Sequence, residues 1–102
     1  MFKLLDLWAE WCGPCKQMAP AVYEAGETFK DFLTIEKLNI DIDIEITEKY
    51  RVRAVPTLII LDENGKEVAR KIGYMPKYKL YEWIESTVLG YRNLGYRNGN
   101  ET

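Results

Sequence analysis

The two cysteines of this 102-residue chain, Cys12 and Cys15, are separated only by Gly-Pro in the stretch "WAEWCGPCK". This spacing suits a redox pair, half of a metal site or a short structural disulfide. Because the sequence contains no histidine, Cys-His nucleophilic chemistry and Cys₂His₂ metal sites are excluded. A zinc site would need carboxylates or a second subunit, because two cysteines cannot complete a Cys₄ set. A disulfide closing so short a loop would stabilise the fold weakly, so the pattern favours a redox pair.

The elements predicted around the cysteines are a strand and a helix. The apolar run Met1–Trp8 predicts a strand buried on both faces, and Asp6 is an acid within it. A helix is predicted from Gly13 to Phe32, because apolar residues recur three and four positions apart. These residues are Met18, Val22, Ala25, Phe29 and Phe32. Pro20 lies inside this helix, where it predicts a kink.

The placement of the cysteines on this helix indicates which of them reacts first. Cys12 lies at the helix N-terminus, and Cys15 lies in the first turn. The partial positive charge of a helix N-terminus stabilises a thiolate, most strongly at the more terminal residue, Cys12. Because the thiolate is the attacking species in thiol–disulfide exchange, we expect Cys12 to attack a client disulfide and Cys15 to resolve the mixed disulfide. Gly13 lets the loop bend tightly, and Pro14 stiffens it.

The rest of the chain predicts a small α/β domain. Further strands are predicted at Leu33–Ile40, Thr57–Leu61 and Glu67–Ile72. The last two form a hairpin, while the stretch Asp41–Ile46 fits either a strand or a short helix. A final helix opens at Pro76 and is expected to end at Gly90. The predicted order is β-α-β-α-β-β-α, a four-stranded mixed sheet with helices on both faces and a right-handed crossover between its first two strands.

Length and composition fit one domain, residues 1–89, followed by a tail, residues 90–102, that we expect to be flexible. The tail repeats "LGYRN", and its arginines are too few to favour stacking on nucleic acid bases. The formal net charge of −2 argues against a nucleic-acid surface. No apolar stretch is long enough for a membrane span. Lys3 and Asp6 interrupt the first apolar run, so we expect no signal peptide and a cytoplasmic location.

The segment "DLWAEWCGPCK" resembles the active site of the thioredoxin family. Further matching stretches lie along the chain, at "MAP", "KLNID", "VPT", "NGK" and "IG". The resemblance extends roughly from Lys3 to Leu89 and implies a minimal thioredoxin fold. Family members usually carry a further strand and helix before this segment, so the chain resembles a short thioredoxin. The strand Leu33–Ile40 then becomes an edge of the sheet, which must be covered or paired.

The resemblance assigns roles to four residues at the catalytic centre. Cys12 matches the nucleophilic cysteine and Cys15 the resolving one. Asp6 matches a buried acid that assists deprotonation of the resolving thiol, and burial should raise its pKa. Lys37 matches the lysine that pairs with this acid.

The resemblance also implies a docking surface for clients. Val55-Pro56 matches a cis-proline loop, which would place backbone beside the cysteines where an extended client can pair with it. The implied docking residues are Trp11, Gly13, Pro14, Ala54, Val55, Pro56, Gly73 and Tyr74. Tyr74 stands where small residues are common in the family, so its bulk should narrow the choice of client.

The function implied by the resemblance is reduction of protein disulfides, with electrons from a thioredoxin reductase or a similar donor. Clients of the class of ribonucleotide reductase or peroxidases are expected, and no cofactor or metal. One alternative is a disulfide oxidase or isomerase, which the intervening Gly-Pro disfavours. Another is a binding subunit that acts independently of redox chemistry. We expect a monomer, for which the exposed edge strand offers a route to a dimer.

Overall fold

The computed structural model describes residues 1–101, and the side chains of residues 1–92. Strands and helices follow one another in the predicted order. The strands are β1 (Phe2–Trp8), β2 (Leu33–Asn39), β3 (Thr57–Leu61) and β4 (Glu67–Ile72). The helices are α1 (Gly13–Thr28), α2 (Ile44–Lys49) and α3 (Lys77–Glu101).

The four strands form one mixed sheet in the order β2-β1-β3-β4. β1 runs parallel to β2 and antiparallel to β3, and β4 completes the hairpin with β3. In this register Asp6 lies between Lys37 on one neighbouring strand and Leu58 on the other. The predicted minimal thioredoxin fold is therefore confirmed, with β1 in the interior of the sheet.

Alternation along β1 divides the core into two apolar layers. Phe2 and Leu4 face the layer that contains buried side chains of α1 and α3. Leu5 and Leu7 point to the opposite layer, against which Ile46 of α2 packs. Successive side chains of a strand point to opposite faces, so a strand buried on both faces needs apolar residues at consecutive positions. The prediction that helices cover both faces of the sheet is confirmed.

The stretch that fitted either a strand or a helix is a loop followed by α2. The side chain of Asp43 accepts a hydrogen bond from the backbone N–H of Asn39 at 2.8 Å. The backbone C=O of Asp43 accepts from the N–H of Thr47 at 3.1 Å. These two bonds turn the chain away from the sheet and start the helix.

Helix α1 is shorter than its apolar spacing predicts, ending at Thr28 rather than Phe32. The N–H of Phe29 still bonds to the C=O of Ala25, but the N–H groups of Phe32 and Leu33 both bond to the C=O of Phe29. This tight turn leads directly into β2. Phe29 and Phe32 both pack in the core on the α1 side. The apolar pattern therefore continues for four residues beyond the end of the helix.

Helix α3 continues beyond Gly90, so the prediction that it ends there is wrong. A helical glycine costs only about 1 kcal/mol, and contacts of the next two residues offset that cost. The Tyr91 hydroxyl donates to Asp62 Oδ2 at 2.9 Å, and the Tyr91 ring lies edge-on to Phe2. The Arg92 guanidinium lies 5.8 Å from the centroid of the Phe2 ring. The predicted flexibility of residues 90–102 concerns a segment whose side chains, from residue 93 onward, lie outside the described residues.

No helix among the described residues has both the length and the apolar character needed to cross a membrane.

Truncation of Leu80 should test the packing of α3 on the sheet. Leu80 is fully buried in the α1-side core, so Leu80→Ala should lower the free energy of unfolding by about 2–5 kcal/mol. Leu89, on the same helix, is 62% exposed, and Leu89→Ala should change it by less than about 0.5 kcal/mol. Urea denaturation followed by far-UV circular dichroism measures both. Equal losses from the two variants would contradict the described packing.

Candidate active site

The loop between β1 and α1 brings the two cysteines together. Cys12 is the N-cap of α1, with extended backbone, and its N–H bonds to the C=O of Ala9 at 3.1 Å. Cys15 lies in the first helical turn, 5.3 Å away between Cα atoms, and the two sulfurs form a disulfide. Gly13 and Pro14 open the helix between them, where a proline sacrifices no intrahelical hydrogen bond. The structure thus shows the protein in its oxidised form.

The N-terminus of α1 acts electrostatically on the Cys12 sulfur. The backbone N–H of Cys15 donates a hydrogen bond to Cys12 Sγ at 3.1 Å. The first turn of α1 contains no acidic side chain, so no carboxylate there opposes the positive end of the helix dipole. Both effects favour negative charge on this sulfur, and Cys12 is therefore the better placed thiolate once the disulfide is reduced.

Both cysteines are enclosed by apolar groups. Cys12 is 4% exposed and Cys15 is 6% exposed, and they form a buried cluster with Ala9. Ile40 and Val55 pack against this cluster. Because so little of either sulfur reaches solvent, a client disulfide must fit closely over the loop to react.

The loop before β3 is held beside the cysteines by a backbone hydrogen bond to the end of β4. The peptide bond between Val55 and Pro56 is cis, and Pro56 is buried. The C=O of Pro56 accepts the N–H of Gly73 at 2.8 Å. Gly73 has φ +100°, a conformation that side-chain-bearing residues rarely adopt. The C=O of Ala54 accepts the Thr57 hydroxyl at 2.6 Å, which fixes the other end of the loop.

The residues expected to dock clients differ in how much of their surface is exposed to solvent. Trp11 is 67% exposed and Tyr74 is 52% exposed. Gly13, Pro14 and Ala54 are also exposed, whereas Val55 and Gly73 are half-buried. The structure therefore brings Val55 against the cysteines and links Pro56 to Gly73, while Trp11 and Tyr74 offer free aromatic surface.

Two residues near the site escaped sequence reasoning. Asp41 Oδ2 accepts the indole N–H of Trp11 at 2.9 Å and so holds an exposed aromatic side chain in place. Ile40 packs on the cysteine cluster. Both lie at the end of the stretch "KLNID", which matches the family but shows no pattern of its own that predicts a partner for an indole.

Asp6 is the acid that the family resemblance assigns to the site. It is 6% exposed and lies on the same face of β1 as Leu4, the face that α1 covers. Burial raises the pKa of the Asp6 carboxyl to about 6, because the charged form loses hydration, and the nearby positive charge of Lys37 lowers it only in part. The carboxyl therefore changes protonation close to neutral pH, as suits a group that exchanges a proton.

Lys37 acts on Asp6 from a distance. The two residues are register partners on β2 and β1, but among the described ion pairs none joins them within 4.0 Å. The Lys37 ammonium lies instead 4.9 Å from the centroid of the Trp8 ring, where the π face attracts a cation. Its influence on the acid is thus electrostatic rather than through an ion pair.

Burial of Asp6 should make stability depend on pH. Below its ordinary pKa of 3.8 the carboxyl is protonated in both states, and above about 6 the folded state must hold a buried charge. The shift corresponds to about 3 kcal/mol of destabilisation, which develops as pH rises from 3.8 to 6. Asp6→Asn should therefore raise the free energy of unfolding by up to about 3 kcal/mol at pH 8 and by almost nothing at pH 3.5.

Urea denaturation of the oxidised protein at both pH values measures this difference. Asp31→Asn, at an exposed position, is the matched control and should change the free energy of unfolding little at either pH. A stabilisation by Asp6→Asn that is the same at pH 3.5 and pH 8 would contradict the burial cost assigned to the charge.

Comparison with known proteins places this arrangement in a family. The Thioredoxin family model matches residues 2–86. A thioredoxin of Rhodospirillum rubrum is 49% identical over 84 residues, which are 82% of this chain and 80% of the relative. A thioredoxin of Alicyclobacillus acidocaldarius is 44% identical over 77 residues, 76% of this chain and 72% of the relative. One of Rickettsia felis is 40% identical over 85 residues, 83% and 80% of the two chains. The chain belongs to the thioredoxin family.

Proposed function

We propose that the protein reduces client disulfides with Cys12 as the attacking thiol and Cys15 as the resolving thiol. Thiol–disulfide exchange is the activity of its family, and the protein is a protein-disulfide reductase of thioredoxin type. The observation that supports the assignment of roles is the hydrogen bond from the Cys15 N–H to Cys12 Sγ at the N-terminus of α1. It favours the thiolate at Cys12, the sulfur that must attack first.

The first step forms a mixed disulfide. The Cys12 thiolate attacks one sulfur of the client disulfide, a bond forms between the two sulfurs, and the other client sulfur leaves with the electron pair of the broken bond. That leaving thiolate then takes a proton from solvent. The apolar enclosure of Cys12 supports this step, because displacement of water by a docked client strengthens the electrostatic effect of the helix N-terminus.

The second step releases the reduced client. Cys15 loses its proton, attacks Cys12 Sγ and restores the Cys12–Cys15 disulfide, while the second client sulfur leaves as a thiolate. We assign Asp6 as the acceptor of the Cys15 proton and Lys37 as a positioning residue that tunes this acid. A carboxyl whose pKa is about 6 is largely ionised at pH 7, yet basic enough to take a proton. The client gains two electrons and two protons over the cycle.

Clients are proposed to dock on the exposed surface around the loop. Trp11 and Tyr74 are its aromatic components, and the backbone before the cis peptide at Val55-Pro56 can pair with an extended client segment. Gly13, Pro14, Ala54 and Gly73 complete the surface with small side chains or none. Tyr74 should favour clients with a small apolar residue next to their reacting cysteine, because the Tyr74 ring occupies space that a smaller residue at position 74 would leave open.

The oxidised form must be reduced again by an electron donor, and thioredoxins act with such reductases and with disulfide-containing clients. For this chain we propose a thioredoxin reductase as donor and ribonucleotide reductase or peroxidases as clients. A cytoplasmic location, where client thiols are kept reduced, fits this use. The Gly-Pro pair between the cysteines supports a reductase rather than an oxidase.

An insulin-reduction assay tests the activity. In the presence of dithiothreitol the protein should accelerate precipitation of the insulin B chain at least tenfold over dithiothreitol alone, because an activated thiolate attacks faster. The Cys12→Ser, Cys15→Ser double variant is the control and should give no acceleration. An equal rate with the wild type and the double variant would contradict a reductase and leave the binding-subunit alternative.

Single substitutions test the order of the two cysteines. Cys15→Ser should accumulate a mixed disulfide between Cys12 and the client, because no second thiol can resolve it. Cys12→Ser should trap much less, since the Cys15 sulfur lacks the hydrogen bond from a backbone N–H that the Cys12 sulfur accepts. Non-reducing electrophoresis and mass spectrometry measure both adducts. Preferential trapping through Cys15 would reverse the assigned roles.

Substitution of Asp6 tests the proposed proton transfer. Asp6→Asn should slow resolution of the mixed disulfide by at least about tenfold at pH 7, since general bases typically contribute that much or more, and leave the first attack nearly unchanged. In the wild type the rate of resolution should rise as pH passes through about 6, where the carboxyl ionises. Stopped-flow tryptophan fluorescence separates the two steps, with Asp31→Asn as control. Equal slowing of both steps would remove Asp6 from this role.

A further inference from the structure

Strand β2 is an edge of the sheet, and its outer side faces no other described strand. The N–H and C=O groups of successive residues in a strand point to opposite sides. At the start of the ladder the N–H of Phe2 bonds to the C=O of Phe32, and at its end the N–H of Ile40 bonds to the C=O of Trp8. The even-numbered residues of β2 therefore pair with β1, and the odd-numbered residues direct their backbone groups outward.

The two ends of this outer edge are already closed. The N–H of Leu33 donates to the C=O of Phe29 at 2.9 Å. At the other end, the N–H of Asn39 donates to Asp43 Oδ2, and the C=O of Asn39 accepts from the N–H of Asp43 at 2.7 Å. These bonds confine any further strand pairing to the middle of β2.

The open groups form a short window centred on Ile35. They are the C=O of Leu33 and both backbone groups of Ile35 and Lys37, for which no partner is found among the described residues. Unpaired edge groups of this kind are a template for addition of another strand. The window can pair with one short strand and is too short for a long one.

A mostly apolar groove of about 690 Å³, which Glu27, Lys30 and Lys37 also line, lies beside the window, between α1 and β2. Ala19, Pro20, Tyr23 and Gly26 line it on the helix side, with Tyr23 74% exposed. Ile35 lies against Gly26, where a Cβ would come within 3.2 Å of its side chain. The edge therefore offers both open hydrogen-bonding groups and apolar surface next to them.

The window can pair with itself in an antiparallel register centred on Ile35. When Ile35 lies opposite Ile35 of a second copy, the open groups form four hydrogen bonds, two between the Ile35 residues and two between Leu33 C=O and Lys37 N–H groups. This register also places Thr34 opposite Glu36 of the second copy. Moving the twofold axis by one residue, which slides the two strands by two positions, places Glu36 opposite Glu36. Moving it by one more residue places Lys37 opposite Lys37. Like charges directly opposite each other are destabilising.

We propose that two copies of the protein associate through β2, antiparallel and with the twofold axis at Ile35, to form one continuous eight-stranded sheet. Such an axis keeps the α1 face of both sheets on the same side, so α1 of each copy borders the groove of the other. The two cysteine loops then lie at opposite ends of the joined sheet and both stay open to clients. The dimer is independent of the redox proposal, because it uses another edge of the molecule.

The test compares full-length variants by sedimentation equilibrium, up to about 1 mM, the weak end of specific association. The wild type should reach twice the mass of the chain. Thr34→Glu places like charges opposite Glu36 twice in the dimer and should raise the dissociation constant on the order of tenfold. Thr34→Lys is the matched control at the same exposed position and should dimerise at least as well as the wild type. Thr34→Glu combined with Glu36→Lys should restore the dimer.

Hydrogen exchange locates the interface in the same samples. The amides of Ile35 and Lys37 should become protected as the protein concentration rises, and those of Trp11 and Gly13 should not. A protein that stays monomeric at all concentrations overturns the proposal. So does a dimer whose dissociation constant is unchanged by the Thr34 substitutions, or one in which the protected amides are those of the cysteine loop. Protection of Ile35 only when a client peptide is added would likewise overturn it, in favour of a client strand. Insulin reduction measured in parallel keeps these outcomes separate from failure of the redox proposal.

Discussion

The pairing of β1 with strands on both of its sides is the constraint on which the rest of the structure depends. Because β1 is hydrogen-bonded to β2 and β3, its side chains can point only to the two faces of the sheet, and five of its seven residues are buried. One face receives α1 and α3, and the other receives α2. The end of the same strand leads into the cysteine loop, so the position of the disulfide is fixed by a strand that is packed on both of its faces. A site carried by such a strand needs little reorganisation when a client binds.

The same constraint explains why an acid can be held within the core. Asp6 occupies a β1 position whose neighbours in the sheet are Lys37 and Leu58, and one cation above a nearby indole compensates its charge only in part. The apolar packing on the two faces of the sheet has to offset the cost of this group. Functional sites commonly contain such locally unfavourable groups, whose altered pKa is what makes them useful.

Most of the fold and the centre of the site could be predicted from sequence. The spacing of the cysteines, their place before a helix and the alternation of the hairpin strands are local patterns. Tertiary contacts do not change the structure that such patterns predict here. The predictions failed where contacts between residues distant in sequence determine the local structure. Gly90 is a weak helix former, yet contacts of Tyr91 with Asp62 and Phe2 carry α3 past it. The hydrogen bond between Trp11 and Asp41 joins residues 30 positions apart, and no periodicity predicts such a pair.

The contact between Tyr91 and Asp62 also fixes where α3 leaves the sheet. Asp62 follows the last residue of β3, and Phe2 begins β1, so both lie at the end of the sheet opposite the cysteine loop. The chain beyond Arg92 therefore starts near the end of the sheet opposite the cysteine loop. Attachment through the C-terminus, whether to a solid support, a fluorescent label or a fused domain, would begin on the side away from the cysteine loop. The protein is thus suited to immobilisation as a reducing reagent without obstruction of its redox centre.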